Sequence, residues 1–237
     1  MDPSERLAKR YLDDLGLGAV VFEPDGNVPP DFSLNNCIGV EVRRLNQNYQ
    51  RTDGSIEGLE ILAVPLRQRL KKFLLTLGPS VGGESWFVSV DFHRPHTRWK
   101  QLETKIGKEL LAFKQSSTRS STVLQITQNV KLDLILADKD HNTFFLLGAT
   151  SDDDSGGWVI EEVAKNLQLC IADKETKIER YRSKYSEWWL VLVDHIDYSM
   201  EPEDRDVFRT EVMPGICHSF ARIVFIDPRD HRRAFDV

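Results

Sequence analysis

Residues 188–193 read Trp-Trp-Leu-Val-Leu-Val and residues 221–226 read Ala-Arg-Ile-Val-Phe-Ile. A strand with one face in water alternates apolar with polar, so a strand that is apolar nearly throughout needs cover on both faces. The two runs therefore predict central strands of a sheet lying between helical layers. The cover is visible in the same sequence. Leu7, Tyr11, Leu12 and Leu15 repeat at helical spacing behind Asp2 or Ser4 as cap, with Gly16 as a stop signal. The longest helix is expected over about 158–183, with an apolar stripe through Ile160, Val163, Leu167, Cys170 or Ile171, Ile178 and Tyr181.

Between these elements the chain alternates strands and helices. Residues 19–22, 30–34 and 38–45 read as three strands separated by a turn at Pro24-Asp25-Gly26 and another at Asn35-Asn36. A helix over about 57–77 contains Pro65, which is expected to kink or divide it. Then come a strand at 86–90, a helix over about 98–114, and two or three strands between 123 and 147. Of these, 132–136 and 143–147 read as a hairpin about Asp138-Lys-Asp-His-Asn142. The acidic stretch 151–157 reads as a mobile solvated loop, and a short helix is expected near 203–212. The expected fold class is α/β, a mixed central sheet flanked by helices. It forms one domain over 1–237, with core elements at about 3–45 and 158–194 and an insertion at about 50–150.

No run reaches the roughly 20 apolar residues that span a bilayer, and the first residues lack the apolar stretch of a secretory signal. A soluble cytoplasmic protein without a membrane partner is expected. The three cysteines have no metal-ligand spacing, which predicts free, mostly buried thiols. A net charge of −6 opposes tight constitutive binding to duplex DNA but leaves room for a local basic patch. Its candidates are Arg67, Arg69, Lys71 and Lys72 on one helix, and Arg94, Arg98, Lys100 and Lys105 around the next.

Charges intrude where apolar residues belong. In strand 38–45, Val40 and Val42 point to one face while Glu41 and Arg43 share the other. Ionised groups on a covered strand cost several kcal/mol unless paired or coordinating something, so the two form either an internal ion pair or a working site. Asp31 lies one short strand earlier, and antiparallel pairing across Asn35-Asn36 brings its carboxylate near Glu41. Two such carboxylates suit Mg²⁺, which binds through one or two carboxylates and keeps several waters. Lys174 occupies an inward slot on the stripe of the long helix, Lys177 lies three residues on, and Glu5 on the first helix either reaches the same mouth or caps its own helix.

The order helix with glutamate, strand, Pro30-Asp31, strand with Glu41-Val42-Arg43, then a late helix and an apolar strand resembles the core of the PD-(D/E)xK nuclease-like superfamily. The resemblance implies an αβββαβ core and phosphodiester hydrolysis of nucleic acid, DNA before RNA, of a defence or mobile-element kind. It further implies that Asp31, Glu41 and, more loosely, Glu5 hold Mg²⁺ or Mn²⁺, and that a homodimer forms to cut two strands. Arg43 stands where the family has its lysine; a guanidinium stays protonated and contacts phosphate, so Lys174 or Lys177 is expected to take the lysine role from the helix. The competing expectation is an inactive relative serving as a binding or assembly scaffold. A third, another hydrolase, would use Asp194-His195 or His93 with His96. Neither GxGxxG nor GxxxxGK[ST] occurs.

Overall fold

The computed structural model describes residues 1–95, 97–198 and 200–237. In chain order the elements are α1 (Pro3–Asp14), β1 (Val20–Phe22), β2 (Phe32–Leu34), β3 (Ile38–Leu45), β4 (Asn48–Gln50), β5 (Ile56–Gly58), α2 (Glu60–Thr76) and β6 (Trp86–Phe92). There follow α3 (Trp99–Gln115), β7 (Thr122–Thr127), β8 (Val130–Leu136), β9 (Phe145–Asp152), α4 (Val159–Ile178) and a 3-10 segment Glu179–Lys184. Last come β10 (Glu187–Asp194), α5 (Pro202–Val207) continued by π and 3-10 turns to Gly215, β11 (Arg222–Asp227) and β12 (Asp230–Asp236). The chain is α/β, with a mixed central sheet flanked by helices. It divides into two compact units, Met1–Asn48 with Gly156–Val237, and Tyr49–Ser155, beside the sequence expectation of one domain with an insertion over about 50–150. No helix among the described residues is long and apolar enough to cross a membrane.

In the first unit six strands lie in the order β1-β2-β3-β10-β11-β12, with β3, β10 and β11 parallel and the rest antiparallel. The two apolar runs become β10 and β11 at its centre, as their lack of alternation requires. On one face Ala8 and Leu12 of α1 pack with Phe32, Val40, Val191 and Val224. On the other, Val163, Leu167 and Ile171 of α4 pack with Leu190, Leu192, Ile223 and Phe225. Gly39 of β3 lies beside Trp188 of β10, and a methyl there would sit 3.0 Å from the indole, so only glycine admits that ring. The edge strand β12, with an exposed and charged side, escaped the sequence reading, as did the short pair β4 and β5.

The hairpin β2-β3 turns on Asn35 and Asn36, both left-handed at φ 51° and 56°, and Cys37 N–H donates to the Leu34 carbonyl at 3.1 Å. Asparagine tolerates this region, and two such residues in succession match the twist of the strands they join. The register that results, Phe32 opposite Val40, puts Asp31 level with Glu41.

In the second unit the strand order is β7-β8-β6-β9, with α2 and α3 packed against the sheet through Leu66, Leu70, Leu74, Leu102, Ile106 and Leu110. Three expectations are corrected here. The segments 132–136 and 143–147 do not form a hairpin, because β6 lies between β8 and β9 and pairs antiparallel with one and parallel with the other. Trp86, Val88, Val90 and Phe92 of β6 are all buried, so that strand takes the centre, and β8 instead turns back on β7. Pro65 does not divide helix α2: in the second turn it removes one hydrogen bond while the leucine stripe continues beyond it. The acidic stretch is a clamp, not a loose loop. The buried Arg94 guanidinium binds Asp152 at 2.8 Å, Asp154 at 2.9 Å and the Leu59 carbonyl at 2.8 Å, which also removes Arg94 from the basic patch.

Candidate functional site

The side chains of Glu41, Arg43 and Leu45 of β3 face α4, and Lys174 of that helix lies over the strand. Its ammonium donates to Glu41 Oε2 at 2.6 Å and to Asp31 Oδ2 at 3.1 Å. Asp31 Oδ2 also accepts the Val42 N–H at 2.7 Å, a backbone anchor that fixes the carboxylate opposite its partner. Glu41 is 1% exposed, and its second oxygen, Oε1, is buried with no hydrogen-bond partner among the described residues. An orphaned carboxylate oxygen in a dry setting costs free energy that a bound donor or cation recovers. A cleft of about 250 Å³ opens over the cluster, walled by Glu23, Asn27, Val28, Pro29 and Lys177.

Burial raises the Glu41 carboxyl above its ordinary range; Lys174 opposes the rise and Asp31 adds to it. Burial works against the Lys174 ammonium as well, but the two carboxylates more than compensate and its pKa ends above the usual lysine value. Lys174 thus keeps its proton and acts as a donor, not as a base.

The site residues expected from sequence separate into three groups. Asp31, Glu41 and Lys174 converge. Arg43 and Lys177 meet instead on Asp173, Arg43 through a short ion pair and Lys177 at 2.9 Å, at the more open edge of the cluster. The internal pair considered for Glu41 and Arg43 does not form, because the helix supplies a lysine to one and an aspartate to the other. Glu5 closes a capping box with Asp2: the Glu5 N–H donates to the Asp2 carboxylate at 2.8 Å while the Glu5 carboxylate accepts the Asp2 N–H. Its carboxylate is spent at the end of its own helix.

Asp173 was missed, although its i, i+4 spacing to Lys177 was a readable signal. The alternative pair at the end of β10 serves a turn: the buried Asp194 accepts from the N–H groups of Ile196 and Asp197. His96, the second member of the other histidine set, lies outside the described residues.

Among the described residues no three of His, Cys, Asp and Glu gather at metal-ligand distance. What Asp31 and Glu41 offer is a pair of hard carboxylates, a donor set that suits Mg²⁺ or Mn²⁺ completed by water and substrate oxygens. Compared with known proteins, the chain matches no family model, no curated protein and no solved structure.

Proposed function

We propose that the chain is a metal-dependent nuclease-like protein that hydrolyses phosphodiester bonds, with a PD-(D/E)xK-like core and its reacting centre at Asp31, Glu41 and Lys174. One observation carries the reading: a carboxylate just before β2, another from the paired strand β3 and one ammonium from a helix more than 130 residues away meet within 3.1 Å, beside a carboxylate oxygen that no described residue satisfies. The orphaned Oε1 of Glu41 and the hard-oxygen donor set fit Mg²⁺ or Mn²⁺, held by Asp31 and Glu41. When bound, such an ion polarises a phosphoryl oxygen and lowers the pKa of a bound water.

The residues of the chain supply the rest. The Val42 N–H anchors Asp31, and Lys174 anchors the buried Glu41. Lys174, protonated, donates to a phosphate or water oxygen and stabilises the charge that develops there. Lys177 in the cleft wall, and Arg43 which shares Asp173 with it, carry donors for a flanking phosphate once Asp173 gives them up.

One observation favours the competing reading of a binding or assembly scaffold: Lys174 already neutralises both carboxylates by itself. The two readings separate in a cleavage assay on labelled single-stranded DNA, duplex DNA and RNA with Mg²⁺ or Mn²⁺. Hydrolysis that disappears with EDTA and in Asp31→Ala supports the nuclease, whereas wild-type protein that never cleaves in either metal leaves the scaffold.

A further inference from the structure

Charge is distributed unevenly between the two units. Met1–Asn48 with Gly156–Val237 holds seventeen Lys and Arg against twenty-four Asp and Glu, while Tyr49–Ser155 holds fourteen against thirteen. Within the second unit the acids concentrate on strands and loops and the cations on α2 and α3. The two helices are neighbours: Phe73 meets Trp99 edge-on at 6.4 Å, and Gly107 leaves room for the Phe73 ring.

The outward side of α2 exposes Arg67, Arg69, Lys71 and Lys72. The cap and body of α3 expose Arg98, Lys100, Lys105 and Lys108, and the first turn of α3 contains no acid. None of these eight forms an ion pair among the described residues, although Arg51, Arg94, Arg119 and Lys131 of the same unit are all paired. Glu103 and Glu109 of α3 lie among these cations but form no ion pair with them among the described residues, so the face keeps an excess of positive charge that a polyanion would neutralise.

The surface is also grooved. A cleft of about 280 Å³ is lined by Ile61, Pro65 and Leu102, with half-buried Trp99 in its wall; Arg69 is among its lining residues, and so is Arg51 with its ion-pair partner Glu57. A second, more open groove runs over Arg98, Lys100, Thr104 and Lys105. Cations that track a backbone beside an apolar slot with an aromatic wall form the combination that holds single-stranded nucleic acid, phosphates on the cations and a base in the slot. An anionic lipid surface, for which exposed Ile61 and Val64 of α2 would supply apolar contact, is the competing occupant that the vesicle competitor tests.

We propose that the α2–α3 face of the second unit binds single-stranded nucleic acid, the substrate class of the hydrolase proposed above, on which reading this role rests. The test uses the full wild-type chain in EDTA, with fluorescence anisotropy of a labelled single-stranded oligonucleotide, its duplex, and phosphatidylserine vesicles as competitor. The expected result is tighter binding of the single strand than of the duplex. Substituting Lys71, Lys72, Lys105 and Lys108 with Gln should weaken it at least about tenfold and flatten the slope of log K against log salt by about 0.7 for each phosphate no longer neutralised.

The circular dichroism melt of the quadruple variant shows whether it is folded. Unchanged affinity in a folded quadruple variant overturns the proposal, as does binding to the vesicles with none to the oligonucleotide. Binding that depends on these lysines in a protein that never cleaves retains the surface and removes the nuclease reading. Cleavage by wild-type protein with binding indifferent to the lysines does the reverse.

Discussion

Lys174 and Glu41, 133 residues apart in the chain, meet at 2.6 Å in the interior of the first unit, each almost wholly shielded from water. Such a pair gains little over an apolar substitute of the same shape, yet breaking it from one side leaves a buried charge uncompensated. Lys174→Met is therefore expected to cost about 3–5 kcal/mol in urea unfolding, and the double variant Lys174→Met with Glu41→Leu to recover most of that loss. A single variant as stable as wild type would show that the pair is solvated.

Arg94 is the corresponding element of the second unit, with Asp152 and Asp154 as its partners. Arg94→Met should destabilise by about 3–5 kcal/mol. Asp153→Ala, which alters the exposed middle residue of the same run, should stay within about 0.5 kcal/mol of wild type. Equal effects would contradict the clamp.

The three cysteines should differ in reactivity. Against the expectation of mostly buried thiols, Cys37 and Cys217 are exposed and only Cys170 is buried, its thiol pushed by burial up to about 11. A thiol titration at neutral pH should count two fast groups in the native protein and a third only in denaturant. Because the folded value lies above the unfolded one of about 8.5, the folded state retains the proton longer. The contribution is fully present below about pH 8.5 and is lost as pH rises toward 11. Relative to Cys170→Ala, wild type should lose up to about 3 kcal/mol across that window; parallel stability curves would remove the effect.

Glu5 tests the division between capping and chemistry. Glu5→Ala should lower stability by about 1 kcal/mol through loss of the capping box and leave Mn²⁺ affinity unchanged in titration calorimetry. A loss of metal affinity would return Glu5 to the site.

Much of this arrangement is legible before any coordinates. Uninterrupted apolar runs mark β10 and β11 as central, and the Asn35-Asn36 turn fixes the register that sets Asp31 beside Glu41. Lys174 is conspicuous because it breaks an apolar stripe. What the sequence leaves open is which charge pairs with which. Glu41 and Arg43 share a face of one strand, and only the placement of α4 decides that Lys174 takes the first and Asp173 the second. The misread hairpin has a related cause: a run of turn-forming residues marks a reversal but not the strand that receives it, and the buried side of β6 competed for that place.

The most direct test of the proposed site is an anomalous difference map from a crystal soaked in Mn²⁺. A peak bonded to both Asp31 and Glu41 is expected, with Glu41 Oε1 now coordinated and the Lys174 ammonium moved from its 2.6 Å position on Glu41 toward the cleft. A map with no peak there and Lys174 still bridging the two carboxylates at high Mn²⁺ would contradict the metal site.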